Sequence, residues 1–124
     1  MCIRDRTILI VDDSASMRQL VKISLASAGH QVIEACDGRD ALNKLTGQKI
    51  NLVISDVNMP NLDGIGLVKA LKARNEYRFT PIMMLTTESE QSKKAEGQAA
   101  GAKAWIVKPF QPQQLLAAVE KLIG

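Results

Sequence analysis

Apolar residues along the chain fall into five short runs, separated by stretches in which they recur every three or four positions. Thr7 to Val11 (TILIV) is a continuous β-rich run, and Met17, Leu20, Val21, Ser24, Leu25 and Ala28 follow at helical spacing, closed by Gly29. Gln31 to Ala35 reads as a second strand, after which Asp37 can cap a helix carrying Ala41, Leu42 and Leu45 before Gly47. Asn51 to Ser55 (NLVIS) is a third strand, followed by a loop with Pro60 and a helix from about Gly64 to Arg74. Pro81 to Leu85 (PIMML) gives a fourth strand and Ala104 to Val107 a fifth. The last helix carries Leu115, Ala118, Val119 and Leu122, with Pro112 in its first turn.

Five strand-helix units with nearly continuous apolar strands predict a parallel sheet with helices on both faces. Right-handed crossovers make an α/β fold with a single open doubly wound sheet the expected architecture. The stretch from Ser89 to Ala100 (SEQSKKAEGQAA) is the weakest of the expected helices, because alanines are its only apolar residues and Gly97 lies inside it. Glycine costs about 1 kcal/mol relative to alanine in a helix.

At 124 residues the chain is sized for one ordinary domain. It is 46% hydrophobic and 23% charged, values of a globular protein that speak against disordered, collagenous and membrane classes. Sixteen Lys and Arg against thirteen Asp and Glu give +3, too weak a balance to argue for nucleic acid without a basic stripe. Cys2 and Cys36 form no C-x-x-C pair and read as reduced, incidental thiols, which fits a cytoplasmic location. No apolar run approaches the roughly 18 residues of a spanning helix. Met1 to Arg6 (MCIRDR) alternates charge without periodicity, so residues 1–6 are set aside as an N-terminal tail and 7–124 taken as the domain.

In an open parallel sheet, chemistry gathers beyond the carboxyl ends of the strands. Here those ends carry Asp12-Asp13, Asp56, Thr86-Thr87 and Lys108-Pro109. Three carboxylates on one edge repel one another, and a divalent cation with Lys108 would balance them. Oxygen donors without His or Cys favour Mg²⁺, which also accepts a phosphate oxygen. Asp56 is the candidate nucleophile, since a carboxylate can attack phosphorus to form an acyl phosphate. Lys108 and the Thr86 hydroxyl would share the phosphoryl charge. An acid after a strand can equally cap a helix, so Asp12 or Asp13 alone leaves both readings open; the joint pattern is what points to chemistry.

Through VDDS at 11 to 14, SDVNMPNLDG at 55 to 64, MLTTE at 84 to 88 and VKPF at 107 to 110, the chain resembles the receiver domain of two-component response regulators, especially the free-standing chemotaxis (CheY-like) type. The likeness covers Thr7 to Gly124. It implies the flavodoxin-like strand order 2-1-3-4-5 with five helices, an order for which the chemotaxis protein is a general example. It makes Asp56 the phosphoacceptor from a sensor-kinase phosphohistidine. Asp13, Asp56 and the backbone carbonyl of Asn58 would hold Mg²⁺, with Asp12 acting through metal-bound water. Lys108 would pair with phosphoryl oxygens, and a cis bond to Pro109 would aim it into the pocket. Thr86 would swing toward the phosphoryl group and Trp105 would take the space vacated, altering the face of the fourth helix, fifth strand and fifth helix for partner docking.

The sequence also departs from the family. Most receivers have Tyr or Phe at the Trp105 position, and Thr87 is bulkier than the residues common there. Asn58 and Glu88 stand where the family tunes hydrolysis, in a pair that resembles the short-lived chemotaxis signal. The partners implied are a sensor histidine kinase, with a phosphatase and a flagellar switch protein as further candidates, and no nucleic acid or membrane; the chain would act as a monomer. It would catalyse only its own phosphorylation and dephosphorylation. Two alternatives are a phosphate-sink receiver without output partner and a haloacid-dehalogenase-like aspartyl-phosphate phosphatase. The latter wants Asp-x-Asp, where this chain has Asn58 as the second residue, and usually a cap domain. His30 follows Gly29 at a helix-to-strand junction, a poor place for a phosphohistidine. Gly64-Ile65-Gly66 lacks the third glycine of a dinucleotide loop.

Overall fold

The computed structural model describes residues 7–45, 50–56, 64–75, 77–86, 99, 101–107 and 111–123. Five strands, β1 (Thr7–Val11), β2 (Gln31–Ala35), β3 (Leu52–Asp56), β4 (Ile82–Thr86) and β5 (Ala104–Val107), form one sheet in the order β2-β1-β3-β4-β5, every pairing parallel. The sequence placed β1, β2 and β5 at these bounds. β3 and β4 each begin and end one residue later than expected, which brings Asp56 and Thr86 into their strands as the last residues.

Four helices are present among the described residues: α1 (Ala15–Ser27), α2 (Gly38–Lys44), α3 (Gly64–Lys72) and α4 (Pro112–Ile123). The expectation of five helices is therefore corrected to four. The fifth was assigned to Ser89–Ala100, of which only Ala99 lies among the described residues. That segment offers alanine methyls as its only apolar surface and has Gly97 inside, so neither burial nor propensity argues for a helix there as strongly as for the other four.

Strand side chains alternate between two cores. Ile8, Ile10, Leu52, Ile54, Met83 and Leu85 pack with Val21 and Leu25 of α1 and Leu115 and Val119 of α4. Leu9, Val11, Val53, Ile82 and Met84 pack on the other face with Ala41 of α2 and Leu67, Val68 and Leu71 of α3. Burial on both faces is why β1, β3 and β4 read as continuous apolar runs.

Local chemistry sets the element ends. The Ser14 hydroxyl accepts the Met17 N–H at 3.3 Å and caps α1, while Asp37 accepts the Asp40 N–H at 2.8 Å and caps α2. Gly29, at φ 94°, ends α1 in a conformation that disfavours a side chain. Gly101, at φ 124°, meets a second constraint: a Cβ there would lie 3.1 Å from Cε of Lys72. The Lys72 ammonium donates to the carbonyls of Arg78 at 2.9 Å and Thr80 at 2.8 Å, tying the end of α3 to the segment before β4. Its desolvation, with some help from neighbouring Lys103, pulls its pKa down.

Candidate functional site

The order of the strands reverses between β1 and β3, and the acids stand at the carboxyl ends of these two strands. Val11 pairs with Ser55, so the residues that follow them, Asp12 and Asp56, are neighbours across the sheet. Asp12 is fully buried, Asp56 is 7% exposed and Asp13 is exposed at the surface. Carboxylate oxygens of the three all lie within 4.8 Å of one another. Two buried acids at that separation need a positive partner to remain charged. Three converging oxygen donors, with no His or Cys in the cluster, suit a hard divalent cation and leave room for water or phosphate ligands.

Asp12 is fixed on several sides. Its N–H donates to the Ala35 carbonyl of β2 at 3.1 Å, and its Oδ1 accepts the Ser14 N–H at 2.8 Å. Its backbone carbonyl accepts Nη1 of Arg18, one turn into α1. Arg18 in turn meets Glu34 of β2, Nε to Oε1 at 3.5 Å, and Lys22 reaches the other carboxylate oxygen at 3.1 Å. Sequence reasoning passed over both Arg18 and Glu34. The available signal was the helical spacing that returns Arg18 to the face of its cap residue Ser14, whose carbonyl accepts the Arg18 N–H at 3.0 Å. Under Asp56, the Ser55 hydroxyl donates to the Asp56 carbonyl at 2.9 Å within the buried end of β3.

Asp12, Asp13 and Asp56 are thus brought together as expected. Thr86 ends β4 opposite Val107 of β5, which puts its backbone on the same edge of the sheet. Asn58, Thr87, Glu88, Lys108 and Pro109 lie outside the described residues. Trp105 is half-buried on β5 against the α2–α3 core, beside Met84 of β4. Its indole N–H is buried with no hydrogen-bond partner among the described residues. On the open side of β5, a groove of about 470 Å³ runs between Trp105, Ile106 and Val107 and the Gln114, Ala117, Ala118 and Lys121 side of α4.

Cys36 follows β2 beside this edge and is exposed. Desolvation and the nearby carboxylates of Asp40 and Asp37 push its thiol pKa up, which keeps it protonated and a poor nucleophile. Among the described residues no helix is long and apolar enough to cross a membrane.

Comparison with known proteins agrees with this geometry. The family model described as the response regulator receiver domain matches residues 8–120. A chemotaxis protein CheY homolog of Campylobacter jejuni is 40% identical over 119 residues, covering 94% of this chain and 92% of that protein. The solved structure of chemotaxis protein CheY4 from Vibrio cholerae matches with a TM-score of 0.90 at 47% identity, over 95% of this chain and 98% of that one. The receiver domain of a sensor histidine kinase from Pseudomonas aeruginosa, solved with a magnesium ion coordinated in its active site cleft, matches with a TM-score of 0.88 at 27% identity, over 97% and 98%. This membership decides against the phosphatase alternative: receivers are phosphorylation-activated switches of two-component signalling, not enzymes that turn over a separate substrate. The acids at the β1–β3 edge, the parallel order β2-β1-β3-β4-β5 and the match over nearly the whole chain give one conclusion: the chain belongs to the response regulator receiver domain family, with chemotaxis proteins of the CheY type among its relatives.

Proposed function

We propose that the chain is a chemotaxis-type phosphorylation switch in which Asp56 accepts a phosphoryl group from the phosphohistidine of a sensor kinase. The observation that carries this reading is the convergence of Asp12, Asp13 and Asp56 within 4.8 Å at the strand-order reversal. An Asp56 carboxylate oxygen would attack phosphorus; the P–O bond forms as the P–N bond breaks, and imidazole leaves with the electron pair. Water would later cleave the acyl phosphate and restore the carboxylate. Asp13, Asp56 and the Asn58 carbonyl would hold Mg²⁺, with Asp12 acting through a coordinated water. Bound there, the ion would offset the charge of the acids and of the incoming phosphoryl oxygens. Lys108 and the Thr86 hydroxyl would bind those oxygens, and Pro109 would set the direction of Lys108. Asn58, Thr87 and Glu88 would tune access and lifetime.

The output would leave through β5 and α4. Thr86 and Trp105 stand on adjacent strands, and Trp105 lines the groove together with Lys121, so a change at Trp105 would alter an exposed face that includes a basic side chain. The resulting protein is a cytoplasmic monomer with residues 1–6 as a tail before a receiver over 7–124. Its upstream partner is a sensor histidine kinase, and the resemblance to chemotaxis receivers implies a flagellar switch protein as a candidate output partner, with a phosphatase as a further candidate.

Incubation with acetyl phosphate and Mg²⁺ should add one phosphoryl group to the chain, and Asp56→Asn or chelation of Mg²⁺ should abolish it. The same treatment, or beryllofluoride with Mg²⁺, should change the fluorescence of Trp105, the chain's only tryptophan. Labelling that survives in Asp56→Asn removes the assignment of the phosphoacceptor. An unchanged signal despite confirmed labelling removes the Trp105 role.

A further inference from the structure

We infer that Arg18 is a positioning residue for the metal-binding acids, held in place by Glu34; the inference rests on the function proposed above. Asp12 is the fully buried member of the acidic cluster, so its backbone placement decides where its carboxylate points. Two of the hydrogen bonds that fix it are local to the edge: its N–H to Ala35, and the Ser14 N–H to its Oδ1. The third comes from Arg18, whose Nη1 donates to the Asp12 carbonyl while its Nε faces Glu34 at 3.5 Å. One planar guanidinium therefore joins three elements, α1 on which it sits, the end of β1 and the body of β2. Lysine concentrates its donors on one nitrogen, so it lacks the separate, rigidly spaced Nη1 and Nε positions that this bridge uses.

Charge and geometry make opposite predictions for Arg18. A free cation beside a divalent metal site would weaken metal binding, and its removal would strengthen it. Arg18 is not such a cation. Its side chain is 19% exposed and is paired with Glu34, a carboxylate it shares with Lys22, so part of the field it casts toward the acids is offset. What remains is the anchoring of the Asp12 backbone, and losing that loosens a ligand set that must be held rigidly. Groups that orient metal ligands typically carry about 10- to 100-fold in affinity. The more exposed Lys22, also on Glu34, keeps that carboxylate from being left unpaired when Arg18 is removed.

Titration calorimetry of the full chain with MgCl₂ tests this, on Arg18→Met, Glu34→Gln and the double variant, with circular dichroism to establish folding at the titration temperature. Arg18→Met should bind Mg²⁺ about tenfold more weakly. Glu34→Gln should lose a smaller factor, and the double variant should be no weaker than Arg18→Met, because Glu34 acts through Arg18. The Mg²⁺ concentration for half-maximal phosphorylation by acetyl phosphate should rise by the same factor, with the rate at saturating Mg²⁺ within about twofold of the parent. Parental affinity in folded Arg18→Met, tighter binding, or independent losses from the two single variants would each overturn the inference. Should Arg18→Met fail to fold, Arg18→Lys, which keeps the charge and gives up the planar fork, decides by the same titration: weaker Mg²⁺ binding supports the anchoring and parental affinity overturns it. Failure of the parent protein to bind Mg²⁺ removes the proposed function first and this inference with it.

Discussion

The indole N–H of Trp105 sits in the interior without a hydrogen-bond partner among the described residues. An unmade hydrogen bond of this kind costs about 1–3 kcal/mol. Replacing the indole with a smaller ring gives up apolar contact worth about 1 kcal/mol at the usual area coefficient. Trp105→Phe should therefore leave unfolding by urea unchanged or raise stability by up to about 2 kcal/mol, unlike most large-to-small changes. A loss of about 1 kcal/mol or more, the apolar contact alone, would mean that the N–H is not a burden in the resting protein. Asp13 is a second single-residue case. As the exposed member of three crowded carboxylates, it adds repulsion when no metal is bound. Asp13→Asn should raise the urea midpoint in EDTA and lose most of the further rise that Mg²⁺ gives the parent protein, since stabilisation by a ligand follows its affinity for the folded state. The acids were legible in the sequence because they fall directly after apolar strand runs. Arg18 was marked only by the helical spacing that returns it to the face of Ser14; that its side chain reaches back to the Asp12 carbonyl is written in no residue pattern.

Among the elements, α2 shows how a short helix is fixed at both ends. Asp37 caps it, and Asp40 in its first turn accepts the Cys36 N–H at 3.0 Å and faces Lys44 at 3.5 Å; Lys44 also donates to the Glu34 carbonyl at 2.6 Å. The Cys36 N–H, and to a lesser degree Lys44, hold the Asp40 carboxyl below the usual 3.8. The group is more acidic folded than unfolded, so its contribution is fully present above about pH 4 and is lost as pH falls through the lowered folded value. Asp40→Asn should flatten the dependence of the thermal midpoint on pH across that acidic window and leave its slope near neutrality unchanged. A parental slope in the variant between pH 2 and 4 would exclude the linkage. Here the sequence read the cap and the strand-helix alternation directly, because both are written in neighbouring residues. It misjudged strand ends by one position at β3 and β4, where ladder pairing with adjacent strands extends each strand through its polar last residue. The helix count erred where the sequence supplied alanine as its only apolar residue.

Across the whole molecule, parallel pairing sends every strand in one direction and separates the two edges of the sheet by role. The acids, Ser14, Arg18 and Cys36 lie at the carboxyl edge; the opposite edge carries the segment before β4, with Tyr77 buried and Phe79 86% exposed beneath the Arg78 guanidinium at 5.9 Å. The architecture was legible as five apolar runs with helices between them, whereas the order of the strands came from likeness to a family, since no single strand encodes its neighbours. Burial of Tyr77 was not foreseen, because it lies in a connection that has no period to read. This division of edges makes the protein a natural optical ruler. Cys36 offers an exposed native thiol beside the acids that a thiol-reactive dye would take up at alkaline pH, where the raised pKa no longer keeps it protonated, and with Cys2 replaced, Phe79→Cys would add a second on the far rim. A donor and acceptor dye on these two positions would span the sheet on its diagonal, from the end of β2 to the segment before β4, and so provide an internal standard against which dyes placed on the β5–α4 face could report motion during signalling.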